Sequence, residues 1–115
     1  MAPRTRLTYV DRHGRPINRS TWLALSARRE YVVIECDRVG GGGHHVQIMT
    51  IWLGLLLPTP VPPVFETLVH CAGSSRPGRW AWTSLVEAQA GHEQIVAELT
   101  TRRGGFAEED VTGNL

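Results

Sequence analysis

Four extended stretches, joined by connectors too short to hold a helix, limit what this chain can become. Residues 31–37, Tyr31-Val32-Val33-Ile34-Glu35-Cys36-Asp37, are β-branched and aromatic, as a half-buried strand requires. Residues 45–54 alternate, with Val46, Ile48, Thr50 and Trp52 on one face and Gln47, Met49, Ile51 and Leu53 on the other. Residues 64–71 place Phe65, Thr67, Val69 and Cys71 on one side, and Val64, Glu66, Leu68 and His70 on the other. A short strand at 79–82 carries Trp80 and Trp82 on a single face. The connectors are the glycine run Gly40 to Gly43, the proline-rich 58–63 and the turn-rich 72–78. Parallel neighbours need a crossover of about a dozen residues or more. These connectors predict an antiparallel meander instead.

Two helices and a hairpin complete the expected fold. Leu7 to Val10 meets the turn signal Asp11-Arg12-His13-Gly14 before Pro16-Ile17, which reads as a hairpin. Asn18 or Ser20 caps a short helix through Trp22, Leu23, Leu25 and Ala27, ending near Arg28-Arg29-Glu30, with Trp22 as its anchor. The clearest helix comes last. Ser84-Leu85-Val86-Glu87 has the spacing of a capping box. Leu85, Ala88, His92, Val96 and Leu99 then recur at three- and four-residue steps, with Ile95 beside them. Arg102 and Arg103 suit the helix's negative end, and Gly104 is expected to stop it. The expected class is α+β: an antiparallel meander with a short N-terminal helix and a C-terminal amphipathic helix packed on one face. Residues 1–103 form one domain in this reading, and 104–115 an acidic, unstructured tail.

Composition narrows function by exclusion. A chain of 115 residues, 42% hydrophobic, builds one core and is not a disordered polymer. Twelve basic residues nearly balance eleven acidic ones, so no global field favours nucleic acid or a membrane surface. All twelve are arginine, a bias that the codon usage of a GC-rich genome explains more simply than anion recognition does. The first 38 residues carry eight arginines against four acids, and the remainder carries four against seven. A solvated basic face accounts for that asymmetry more readily than a phosphate partner does. The apolar run Ile48 to Leu57 is too short to cross a bilayer, which takes about 20 residues. No basic leader with an apolar stretch opens the chain, so a cytoplasmic setting is expected. Cys36 and Cys71 are then reduced thiols used as small core residues.

Several constellations could carry chemistry. Gly40 to Gly43 lacks the Lys-Ser/Thr pair and the following helix of a phosphate loop. Cys36, His45 and His70, with His44 and Cys71 near them, are candidate metal ligands on neighbouring strands. No zinc-type spacing supports them, and the adjacent His70 and Cys71 point to opposite faces. No cofactor is expected. Glu66 and His92 could form an acid–base pair if strand and helix bring them together, or they could be a paired carboxylate and a core histidine. Ser74-Ser75 lacks the flanking glycines of a nucleophile elbow. Four tryptophans are many beside two Phe and two Tyr. Trp80 and Trp82, flanked by Arg76 and Arg79, could form a platform for an anionic or nucleotide ligand, or simply fill the core.

The chain also resembles a family of small proteins of actinobacterial phages and prophages. The likeness rests on Trp52-Leu53-Gly54, on Pro62-Pro63-Val64-Phe65-Glu66-Thr67-Leu68-Val69, on Trp82-Thr83, and on Glu87-Ala88-Gln89-Ala90-Gly91-His92. The opening Tyr9-Val10-Asp11-Arg12-His13-Gly14-Arg15-Pro16-Ile17 followed by Trp22 is similar as well. Where the family carries an Asp-His pair and a glycine-rich loop after Trp-Leu-Gly, this chain has Leu55-Leu56-Leu57 and prolines. Its usual Gly-Gly-Pro turn with an Asp is replaced by Cys71-Ala72-Gly73-Ser74-Ser75. The resemblance implies a fold and a phage context, hence the host cytoplasm, and brings no activity.

The expectation is therefore a non-catalytic accessory binding module for a host factor, such as an antagonist of host defence, or for a small anionic ligand. A small enzyme using Glu66 and His92 and a structural virion or assembly subunit are the rivals. Apolar side chains expected on the second sheet face argue for a homodimer or a covering partner.

Overall fold

The computed structural model describes residues 7–41, 45–73 and 78–114, with side chains described as far as Thr101. Strands β1 (Thr8–Val10) and β2 (Pro16–Ile17) form the expected hairpin, followed by α1 (Arg19–Ser26) and a single turn, α2 (Arg29–Val32). The sheet strands are β3 (Val33–Val39), β4 (Val46–Trp52), β6 (Phe65–Cys71) and β7 (Gly78–Trp82). A two-residue strand, β5 (Leu55–Leu56), lies between β4 and β6, and α3 (Leu85–Asn114) ends the chain.

The four long strands pair in the order β3-β4-β6-β7, each antiparallel to the next, which is the meander the short connectors require. Register fixes the faces. Val46 pairs with Cys71, Ile48 with Val69, Thr50 with Thr67 and Trp52 with Phe65, so the alternating apolar set of β4 meets that of β6 on one inner face. Glu35, Asp37 and Val39 of β3 join that face, as do Trp80 and Trp82 of β7. Helix α3 covers it with Ala88, Gly91, His92 and Ile95, all buried.

Trp52 carries the core across to the N-terminal elements. Its indole is 2% exposed and packs with Val10, Phe65 and Ala88, with Trp22 and Leu25 of α1 against the same cluster. Its Nε1 donates to the Val10 carbonyl at 3.1 Å, and the Trp22 Nε1 donates to the Leu53 carbonyl at 2.9 Å. Asn18 caps α1 by accepting from the Thr21 amide at 2.7 Å. Both helices thus serve the same side of the sheet.

The structure corrects several expectations. Strand β3 begins at Val33, because Tyr31 and Val32 close the α2 turn. There the Arg12 guanidinium lies over the Tyr31 ring and binds the Glu30 and Tyr31 carbonyls. The segment expected as one strand over 45–54 breaks at Gly54, whose φ of 69° is left-handed. Beyond it β5 pairs with β1, giving a second sheet of order β2-β1-β5. The backbone of α3 continues to Asn114, past the stop expected at Gly104. Glycine ends a helix when it turns left-handed, and otherwise only weakens it by about 1 kcal/mol. Cys36 is exposed and Cys71 half-buried, so the first is no core residue. Trp52, Trp80 and Trp82 all face inward, leaving Met49, Ile51 and Leu68, each half-buried, as the large apolar side chains that β4 and β6 put on the outer face.

The cap of α3 also differs in detail. Ser84 accepts from the Glu87 amide at 3.2 Å as expected, but the Glu87 carboxylate reaches back to Thr83, accepting from its amide and its hydroxyl. These bonds to the ionised form hold the Glu87 carboxyl below its ordinary value of 4.5. Among the described residues no helix is long and apolar enough to cross a membrane.

Candidate functional site

A groove runs between the free edge of β7 and α3. Val69, Trp80, Trp82, Ile95 and Leu99 give it apolar walls, Gly91 lies in its floor, and Gln94 and Glu98 stand on its rim. Its volume is about 340 Å³, within the range of small-ligand sites. Both indoles are positioned by glycines. A Cβ at Gly91 would lie 2.3 Å from Trp82 ring carbons, and one at Gly78 would lie 2.9 Å from the Trp80 ring. Trp80 remains 42% exposed, a large aromatic surface open to solvent. Gln94 Nε2 donates to the Glu98 carboxylate at 3.2 Å and holds it at the rim.

Trp82 is anchored by a polar chain that crosses the core. Its Nε1 donates to Thr67 Oγ1 at 2.9 Å, Thr67 and Thr50 hydroxyls meet at 2.5 Å, and Thr50 Oγ1 lies 2.7 Å from His92 Nδ1. At the far end His92 Nε2 lies 2.7 Å from Asp37 Oδ2 and 3.5 Å from Glu35 Oε2. An indole can only donate, so Thr67 accepts at the first link, and the direction of the two links beyond it is set by which imidazole nitrogen carries the proton. Thr67 accepts from Trp82 and donates to Thr50, Thr50 donates to Nδ1, and Nε2–H donates to Asp37. Every donor then has an acceptor when the imidazole is neutral and carries its proton on Nε2. Thr50, Thr67 and His92 are fully enclosed, as the full pairing of buried polar groups demands.

The sequence-derived candidates separate into distinct places. Trp80 and Trp82 share the groove, as their alternation implies. Arg79 does not join them: it lies on the outer face, where its Nε pairs with Glu66 Oε1 at 2.9 Å. Arg76, with His44 and the Ser74-Ser75 pair, falls outside the described residues. Glu66 and His92 are on opposite sides of the sheet, because Glu66 stands one residue out of register with Phe65 and Thr67. Cys36 and His70 are exposed and assemble no ligand set with His45; the Cys36 thiol meets the Gln47 amide at 3.7 Å.

His92 instead meets Asp37 and Glu35, which sequence reasoning passed over. The available signal was their i, i+2 spacing, which puts both acids on one face of a strand. Only the pairing of β3 with β4 turns that face toward α3. Comparison with protein-family models, curated proteins and solved structures finds no match to this chain.

Proposed function

We propose that this chain is a non-catalytic binding module, of the accessory kind suggested by its likeness to phage proteins. Its ligand seats in the β7–α3 groove. The observation that carries the reading is the open Trp80 indole beside an apolar trough whose rim holds a carboxylate, Glu98. With Arg79 engaged on the other face, the charge that the described residues bring to this groove is negative. The ligand it suits has an aliphatic or flat body to lie on Trp80 and an ammonium or guanidinium head for Glu98, a small organic cation or a basic side chain of a partner. Such a cation gains from the π face as well as the carboxylate.

The enzyme alternative built on Glu66 and His92 has less behind it, since the two stand on opposite faces of the sheet. Thr50, His92 and Asp37 follow one another as nucleophile, base and acid would, yet Thr50 is fully enclosed and no substrate reaches it.

Tryptophan fluorescence titration with a matched series of aryl-alkyl amines and carboxylates tests the proposal. The amines should bind saturably and the carboxylates should not. Trp80→Ala and Glu98→Gln should each weaken the amines about tenfold, roughly 1.4 kcal/mol. Preference for the carboxylates, or amine binding indifferent to both substitutions, would refute it.

A further inference from the structure

On the side of α3 away from the groove, two carboxylates converge on one imidazole nitrogen. We propose that Glu35, Asp37 and His92 bind a divalent transition-metal ion of the zinc class. The ligand atoms lie within 4.8 Å of one another, and this is the cluster of three potential ligands among the described residues. An ion bound by one nitrogen and two carboxylate oxygens at ~2.0–2.1 Å needs those atoms roughly 3.3 Å apart in tetrahedral geometry. The Nε2–Glu35 separation of 3.5 Å already meets that, and the Nε2–Asp37 contact of 2.7 Å must open by roughly half an ångström to match tetrahedral spacing. Asp37, whose side chain is 51% exposed, has room to do so.

Three observations argue for a cation here and not for a histidine simply held by acids. One carboxylate suffices to orient an imidazole, and this one faces two. Among the described residues no arginine pairs with Glu35 or Asp37, and both acids reach the same imidazole nitrogen. The ring itself is locked from behind by Thr50, the outer-sphere hydrogen bond that metal-bound histidines characteristically have. A mixed nitrogen and oxygen set favours zinc-like ions over calcium or magnesium, which take oxygen ligands. Three protein ligands leave a fourth position for water or an exogenous donor.

Binding has a consequence for the polar chain. The metal takes Nε2, so the imidazole proton must reside on Nδ1. Nδ1–H then donates to Thr50, and Thr50 donates to Thr67, reversing both links.

The test is calorimetric titration of the untagged, chelator-stripped chain with Zn²⁺, with Co²⁺ absorption as a second readout. One saturable site is expected, weakened at least tenfold by Asp37→Asn and by Glu35→Gln, and unchanged by Cys36→Ser. Both acids are partly exposed, so these variants should keep the wild-type circular dichroism, whereas His92→Ala risks the core. Long-range ¹⁵N spectra should show the His92 proton on Nε2 without metal and on Nδ1 with it. The proposal is overturned by no saturable binding, by binding indifferent to the two acidic substitutions, or by binding lost with Cys36→Ser. It stands or falls apart from the groove, since none of these readouts depends on a ligand at Trp80.

Discussion

Thr50 and Thr67 occupy inner-face positions where valine would fill the same space, and their hydroxyls are what distinguishes them. Both hydroxyls are fully buried, where a polar group is costly unless it is hydrogen-bonded. Thr50→Val removes the donor that His92 Nδ1 accepts from and the acceptor that Thr67 needs. A cost of about 1–3 kcal/mol follows from leaving buried polar groups unpaired. Thr67→Val strips the acceptor from the Trp82 indole and should cost a similar amount. The double variant leaves only the two ends, Trp82 Nε1 and His92 Nδ1, unpaired. Its loss should therefore fall short of the sum of the singles, which urea denaturation of the four proteins measures. Strict additivity would show that the threonines act independently and that the chain is not continuous.

Elements in this protein are placed by close backbone approach as much as by apolar pattern. The seam between α3 and β7 depends on Gly91, which the Trp82 ring approaches too closely for any side chain to stand between them. In an ordinary helix interior, Gly→Ala stabilises by about 1 kcal/mol. Here the added methyl would meet ring carbons at 2.3 Å, and overpacking of that kind costs about 1–3 kcal/mol. Gly91→Ala should therefore lower the melting temperature, and the near-ultraviolet tryptophan signal should change as Trp82 is pushed from Thr67. A raised melting temperature would mean the helix can slide along the sheet to make room. The helix period in the sequence marked Ala88, His92 and Leu99 as inward, and that much was legible. That Gly91 is a contact and not a weakness in the helix was not, because the reason lies on β7.

For the molecule as a whole, Trp52 joins the meander to the N-terminal sheet. It is the last residue of β4, yet its indole donates to a carbonyl of β1 and packs edge-on against Tyr31, with centroids 4.9 Å apart. Trp52→Phe keeps the aromatic ring and loses the donor, leaving the buried Val10 carbonyl short of a partner. A cost of about 1–3 kcal/mol is expected. Its distribution is the sharper prediction. Amide exchange should quicken at Val10, whose N–H bonds Gly54 across the β1–β5 seam, while Ile48 and Val69 in the meander keep their protection. Uniform acceleration would show that the two sheets unfold as one unit.

Alternation, short connectors and helix period are local properties, and they determined the meander, the set of side chains that shares each face, the hairpin, a cap at Asn18 or Ser20 and the inward stripe of α3. Each of these is settled by which way a side chain points within its own element. Which residues meet across elements was decided by the tertiary structure alone. Glu66 and Arg79 paired on the outer face, Glu35 and Asp37 turned toward His92, and Trp80 and Trp82 came to share a groove with Glu98. Those partnerships depend on strand register and on the angle at which α3 crosses the sheet. A displacement of one residue reverses every face, and no local pattern carries that information.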